Sequence, residues 1–348
     1  MTALVIGANG YLGSHVTRQL VDKGLGTLPA GGGDVRVMVR DGANTIGIDD
    51  LDVTRFVGDI WDNQTLRDAM AGAQDVYYCV VDTRGWLRDP SPLFHTNVDG
   101  TRNVLEVAKD AGLHRFVFTS SYVTVGRKRG RVATEDDIVV DRGLTPYVRS
   151  RVQAEELVLK YAREYGLPAV AMCVSTTYGA GDWGMTPHGQ IIAGTAFGKL
   201  PFVMDKIELE AVGIDDAARA LLLAAEKGRV GERYLISEKM ISNAEVVRIA
   251  AEAVGVPAPT KSIPLPVSYA MALLGSAKAK LRGTDEQLSM GSLRLMRAEA
   301  PVACGKAKRE LGWEPRPVEE SIREAARFWV GLRDARRKTK STSDGSAS

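Results

Sequence analysis

Gly7, Gly10 and Gly13 recur every third residue, directly after the apolar run Ala3-Leu4-Val5-Ile6 and at the start of a helical pattern. Glycine adopts backbone angles that other residues resist and lets another group approach the chain closely. A helix opening at such a turn presents unpaired N–H groups and a partial positive charge to whatever lies over it. Docking of a dinucleotide pyrophosphate needs both features, so the three glycines read as a phosphate-binding turn. The next strand ends Val37-Met38-Val39-Arg40-Asp41. An acid at that point suits a free ribose 2′-hydroxyl, and arginine suits a 2′-phosphate. Arg40 therefore favours NADP(H), while Asp41 leaves NAD(H) possible. Asp59 and Ile60, after the third strand, are placed to touch the adenine ring.

Other chemistry-bearing residues are sparse. Cys79, Cys173 and Cys304 are far apart, lack metal or redox spacing, and read as free thiols in a reducing cytoplasm. No His, Cys and carboxylate cluster has metal-ligand spacing, so no metal is expected. His15, in the first helix, reads as structural or solvent-facing. His188, in a Pro-His-Gly loop, is a candidate substrate contact. A net charge of +2 gives no electrostatic case for nucleic acid.

The elements that must position these residues follow from periodicity. Strands are predicted at Ala3–Gly7, Val35–Val39, Val53–Val57, Asp75–Val80, Arg115–Thr119 and Ala169–Cys173. Helices are predicted at Leu12–Lys23, Gln64–Met70, Val98–Ala111 and Pro146–Tyr165. This alternation predicts an α/β fold, a doubly wound parallel sheet of the Rossmann kind with a smaller C-terminal substrate lobe. Residues 1–174 form the dinucleotide-binding core, and 175–332 mainly the lobe, with some segments returning to the core. Within the lobe, helices are predicted at Asp215–Glu226, Asn243–Val254 and Val267–Leu281. The glycine-rich segment Gly24–Gly33 reads as an exposed insertion, and 333–348 as a disordered tail. The first strand begins almost at the first residue, so no leader is expected. Leu265–Gly275 is too short to cross a bilayer, which needs about 20 residues. It reads as a core or cleft-lining helix, with contact to a membrane surface as the alternative.

Several motifs in order carry a family resemblance over roughly residues 1–330. They are Gly7-Ala8-Asn9-Gly10-Tyr11-Leu12-Gly13, Gly58-Asp59-Ile60, Asn97-Val98-Asp99-Gly100-Thr101-Arg102-Asn103-Val104, Phe118-Thr119-Ser120-Ser121, Pro146-Tyr147 and Leu311-Gly312-Trp313-Glu314-Pro315. The chain resembles the extended short-chain dehydrogenase/reductase superfamily, and within it the dihydroflavonol reductase-like and 3β-hydroxysteroid dehydrogenase-like branch. Gly228–Tyr234 is also similar to bacterial proteins labelled hopanoid-associated sugar epimerases. The resemblance implies hydride transfer between a nicotinamide and a carbonyl or alcohol, with Ser121 bonded to the substrate oxygen and Tyr147 as acid/base. It implies cofactor contacts at Asn9, Tyr11, Leu12, Val80, Val81, Asn97, Thr119, Ser120, Val174 and Thr177, besides Tyr147 and Arg151. A homodimer through the helix carrying Tyr147 is expected on the resemblance alone.

Two departures stand out. The family's lysine, four residues after the tyrosine, is Arg151 here, on the same helical face as Tyr147. Its charge can support the tyrosine and its donors can hold ribose hydroxyls, but guanidinium does not readily release a proton. The second departure is Val174-Ser175-Thr176-Thr177-Tyr178-Gly179-Ala180-Gly181-Asp182, where the family's prolines are missing. Trp183, Met185, Phe197, Phe202 and Met204 suggest a mostly apolar substrate, with Trp183 and His188 as contacts. The leading expectation is an NADP(H)-dependent ketone or aldehyde reductase. A nucleotide-sugar epimerase or dehydratase, using Arg219, Arg233 and Arg294, is the alternative. A catalytically weak dinucleotide-binding sensor is another, because of Arg151.

Overall fold

The computed structural model describes residues 1–23, 33–128, 130–139, 144–204, 206–286, 290, 293 and 300–345. Arg294 and nearly all of the Gly24–Gly33 insertion lie outside them. The N-terminal half runs β1 (Thr2–Ile6), α1 (Tyr11–Lys23), β2 (Asp34–Val39), β3 (Thr54–Val57), α2 (Asn63–Met70) and β4 (Asp75–Tyr78). It continues α3 (Ser91–Phe94), α4 (Thr101–Ala108), β5 (Arg115–Ser121), α5 (Pro146–Tyr165) and β6 (Ala169–Val174). Then come β7 (Thr176–Tyr178), α6 (Pro187–Ala196), β8 (Val203–Met204), β9 (Glu208–Gly213), α7 (Ile214–Lys227) and β10 (Arg233–Ile236). Last are β11 (Lys239–Ser242), α8 (Asn243–Ala253), β12 (Ser262–Ile263), α9 (Leu265–Arg282) and helices Gly305–Leu311 and Val318–Gly345.

Seven strands form one sheet in the order β10-β6-β5-β4-β1-β2-β3. Every neighbouring pair is parallel. Parallel strands are covered on both faces, which is why β4 and β6 are buried along their whole length. One apolar layer joins the sheet to α1 and α7, and the other joins it to α2, α4 and α5. Strand order reverses between β1 and β4, and in such sheets ligands bind beyond the carboxyl ends of the strands at that point. All six strands predicted from the N-terminal half are present. The seventh, β10, returns from the C-terminal half.

The lobe has its own small sheet, β11-β9-β7, packed against α6, α8 and helix Val318–Gly345. The expected unstructured tail from Arg333 is instead a continuation of that helix to Gly345. Arg333-Asp334-Ala335-Arg336-Arg337 contains good helix formers, and extending an existing helix adds one hydrogen bond for each residue fixed. The helix predicted from Val98 opens with a wide π-helical turn, His95–Gly100, before α4. Helix α9 does not line the core as expected. It packs by one face only on Ile207 and Leu293, leaving Leu273 and Leu274 exposed.

A buried polar cluster joins the sheet to α5. Glu155 on α5 pairs through Oε1 with Arg233 Nη1 of β10 at 2.9 Å. Its other oxygen accepts from Ser120 of β5, from Thr124 at 2.8 Å, and from the Cys173 thiol of β6 at 3.1 Å. Arg233 also donates to the Glu135 and Asp137 carbonyls at 2.6 and 3.0 Å. Burial, then the Glu155 charge, push the Cys173 thiol well up, so it stays a neutral donor.

Replacing Arg233 by Met would leave Glu155 buried without its cation. Stability should fall by about 3–5 kcal/mol, read from the urea midpoint and slope. Adding Glu155→Gln should recover part of that loss, whereas an unchanged midpoint in Arg233→Met would remove the pair from the account of stability.

Candidate active site

The glycine turn joins β1 to α1. Gly7 has φ +83°, and a Cβ there would lie 2.9 Å from Val80 Cγ2. Its N–H donates to the Met38 carbonyl at 3.1 Å, and Gly10 N–H donates to the Gly7 carbonyl at 3.0 Å. A Cβ on Gly13 would be 2.2 Å from the Gly7 oxygen, so α1 packs flush on the turn only with glycine there. A Cβ on Gly10 would meet only that same oxygen, at 3.2 Å; its remaining surroundings are open. Among the described residues, the N–H groups of Tyr11, Leu12 and Gly13 find no backbone partner. The first turn of α1 carries no acid. An open glycine face over free N–H groups fits a pyrophosphate. Half-buried Asn9 is in the same turn.

Tyr11 has another task. Its hydroxyl donates to the Gly179 carbonyl at 2.8 Å, and burial holds its ionisation well above the ordinary tyrosine range. His15 bonds Asp215 at 2.7 Å through Nδ1 and meets the Ala180 carbonyl at 3.2 Å through Nε2. Together they fasten the Gly179-Ala180-Gly181 turn to α1.

Along the carboxyl edge, Arg40 and Asp41 are exposed where β2 ends. Arg40 makes no side-chain hydrogen bond or ion pair among the described residues. The Asp59 carboxylate accepts from Trp61 N–H at 3.3 Å, and buried Ile60 occupies the space that a Cβ on Gly100 would need. Val80 and Val81 follow β4, half-buried. Asn97 is wholly buried and its amide is consumed. Oδ1 accepts from Asp82 N–H at 2.8 Å, and Nδ2 donates to the Asp82 carbonyl at 2.9 Å and Ser150 Oγ at 3.0 Å. Ser150 in turn donates to the Tyr147 carbonyl at 2.8 Å. Asn97 thus positions the Val80–Asp82 loop against the first turn of α5, and has no free amide for a ligand. Asn97 lies within the π-helical turn His95–Gly100.

Sheet register sets Ser121 beside Val174 and Ser120 beside Cys173. Ser121 is half-exposed, and its hydroxyl accepts only a long 3.5 Å bond from Val123 N–H. Ser120 points the other way and spends its hydroxyl on Glu155. Thr119 donates to Cys79 Sγ at 3.4 Å, and Thr177 is half-buried on β7. Thr145 caps α5, with its hydroxyl accepting from Val148 N–H, and Pro146 starts the helix, so Tyr147 falls in the first turn, half-buried. Arg151 lies one turn further along α5. It is only 1% exposed, donates through Nη2 to the Thr119 carbonyl, and lies 5.2 Å from the Phe118 ring centre. Its Nε and Nη1 are sealed from solvent with no partner among the described residues. The guanidinium is folded onto β5.

Trp183 packs edge-on to Phe328 at 4.9 Å and borders Gly47, so its ring is committed to holding the C-terminal helix. His188 sits edge-on to Tyr178 at 6.1 Å, with a sealed, unpartnered Nδ1. Burial pushes its pKa down to about 4, so the ring is neutral at pH 7. Of the arginines considered for a diphosphate, Arg233 is bound to Glu155, and Arg219 to Asp216 and the Glu314 carbonyl. Sequence reasoning missed the supporting residues Asp82, Ser150 and Glu155, and offered Arg233 for a diphosphate. Ser150 and Glu155 carry a readable signal, since they stand three residues after Tyr147 and four after Arg151 on one helix.

Comparison with known proteins accords with this arrangement. Residues 3–237 match the model of the NAD dependent epimerase/dehydratase family, and the chain belongs to that family. A putative dihydroflavonol 4-reductase from Synechocystis sp. is 27% identical over 331 residues, 93% of each chain. The sterol demethylase protein B of Methylococcus capsulatus is 28% identical over 335 residues, covering 94% of this chain and 98% of that one. The crystal structure of DesIV, a dTDP-glucose 4,6-dehydratase from Streptomyces venezuelae with NAD and TYD bound, superposes with a TM-score of 0.77. It is 24% identical, covering 96% of this chain and 98% of that one. The chain is accordingly an NAD(P)-dependent enzyme of the extended short-chain dehydrogenase/reductase type.

His188 sets a pH expectation. An unfolded chain protonates histidine near pH 6.5, whereas the folded protein resists until about pH 4. Above 6.5 both states are neutral and nothing is lost. Between 6.5 and 4 only the unfolded state gains the proton, so stability falls across that window. Urea unfolding at pH 7 and pH 5 should show a smaller loss in His188→Gln than in the parent. Equal losses would mean that the ring is not sealed.

Proposed function

We propose that the chain is an NADP(H)-dependent reductase interconverting a ketone or aldehyde and an alcohol on a mostly apolar small molecule. What carries this reading over a nucleotide-sugar epimerase or dehydratase is the fate of Arg219 and Arg233. Arg233 is engaged inside the protein with Glu155, and Arg219, half-buried, spends one of its terminal nitrogens on Asp216 and the Glu314 carbonyl, so both are already committed to protein partners. His188 adds a neutral hydrogen-bonding ring to the lobe rather than a charge.

The turn Gly7–Gly13 would hold the pyrophosphate, and Arg40 a 2′-phosphate. Bound nicotinamide supplies or takes the hydride. Ser121 would donate a hydrogen bond to the substrate oxygen, and Tyr147 would pass a proton to it or take one from it. Tyrosine is a weak acid near pH 7, so this work needs a nearby positive charge. Arg151 is that charge, acting from within the wall and not as a proton relay. Its sealed position also supports the second reading, a dinucleotide-binding protein with weak turnover.

Two measurements test the proposal. Calorimetry should find NADPH binding about ten- to a hundredfold tighter than NADH, the contribution of one charge-assisted contact, with the difference gone in Arg40→Ala. Equal affinities in the parent would remove Arg40 from the site.

Turnover of apolar ketones should vanish in Tyr147→Phe while NADPH binding stays. Arg151→Lys should raise turnover by about tenfold or more if a proton relay is what the site lacks, with little change in cofactor affinity. A Tyr147→Phe protein reducing ketones at the parent rate would overturn the catalytic assignment.

A further inference from the structure

Helix α9 leaves an apolar stripe with no partner among the described residues. Val267, Leu274 and Leu281 recur every seven residues and are 47%, 70% and 86% exposed. Ala270 and Ala277 fill the stripe, and Leu273, 62% exposed, widens it. The opposite face is occupied: Ala272 is fully buried, and Leu265 and Tyr269 pack with Ile207 and Met204. The outward leucines are therefore neither core nor cleft lining. Singly exposed apolar residues are ordinary, but a continuous row along an 18-residue helix is a contact surface.

The charges say what the surface meets. With 3.6 residues per turn, Lys278 falls on one side of the stripe and Lys280 on the other, with Arg282 one turn beyond Lys278. The helix carries no Asp or Glu. Lys278 pairs with Glu286 at 2.5 Å, while Lys280 and Arg282 have no ion pair among the described residues. The charged residues of α9 itself are all cationic, so the surface that the stripe meets should be anionic. An anionic bilayer answers both features at once: the leucines enter the acyl boundary, and the long cationic side chains reach up to the headgroups. No helix among the described residues is long and apolar enough to cross a membrane, so α9 would lie in the interface plane.

We infer that α9 docks the protein on anionic lipid surfaces through Val267, Leu274 and Leu281, with Lys280 and Arg282 supplying the electrostatic attraction. This goes beyond the reductase reading and stands or falls separately from it. The test is cosedimentation of the full chain with vesicles of phosphatidylcholine and phosphatidylglycerol, against vesicles of phosphatidylcholine alone, with light scattering of the free protein.

The parent should bind the anionic vesicles, and raised salt should weaken binding. Leu274→Ser with Leu281→Ser should lower the partition coefficient at least tenfold, as should Lys280→Glu with Arg282→Glu. All four residues are exposed, so both variants should keep the parent's circular dichroism and NADPH affinity. Absence of vesicle binding, or binding that the serine variant leaves unchanged, would overturn the inference. So would a parent dimer that the serine variant converts to monomer without any vesicle binding, since a second copy would then occupy the face.

Discussion

The buried carboxylate of Glu155 is the interaction on which the geometry of the sheet edge depends. It reaches β5 through Ser120, β6 through the Cys173 thiol, and β10 through Arg233. Because Glu155 is on α5, one side chain sets the helix bearing Tyr147 against the strand bearing Ser121. Removing a carboxylate and a guanidinium from water is expensive, and their attraction in the interior offsets this only with good geometry and further hydrogen bonds. Both conditions are met, as each Glu155 oxygen and each Arg233 nitrogen has a partner. Such a cluster holds one arrangement well and tolerates intermediate ones badly, so α5 is fixed against β5.

A second, smaller network performs the same service on the cofactor side. Asn97, Ser150 and the Asp82 backbone join the loop after β4 to the first turn of α5. Asn97 reaches them from within the π-helical turn. Tyr11 and His15 then fasten the Gly179–Gly181 turn to α1. Residues that seemed suited to touch a ligand are thus partly the frame around it. Asn97 and Ser120 are polar and stand at the sheet edge, but each has its hydrogen-bonding capacity consumed by protein.

The central strands of the main sheet were legible because strands buried on both faces must be short apolar runs, as Leu4-Val5-Ile6 and Val170-Ala171-Met172 are. β10 was not, since Arg233-Tyr234-Leu235-Ile236 is short and follows a glycine turn, and its partner is β6, some sixty residues earlier. The glycine turn was legible down to single residues, because each glycine answers a local demand that Cβ would violate. Partner choice was illegible. No spacing says that Arg233 faces Glu155, that Trp183 faces Phe328, or that Arg151 bends onto Thr119. These outcomes are set by where distant elements meet. The apolar run beginning at Leu265 could be core or surface by composition alone, and only packing on Ile207 and Leu293 divides its two faces.

The position of Arg151 changes what the departure from lysine means. A lysine reaching the ribose would act by contact, through donors that can also pass a proton. On the proposed reading, the guanidinium folded onto β5 would act through its field, and a charge sealed from water is screened far less than one at the surface. Field support needs no motion and no exchange with solvent. What it cannot supply is a route for the proton to leave. On the proposed reading, that route falls to the Tyr147 hydroxyl itself and to the half-exposed Ser121 beside it. On that reading the pace of turnover depends on how readily water reaches those two hydroxyls as well as on the charge behind them.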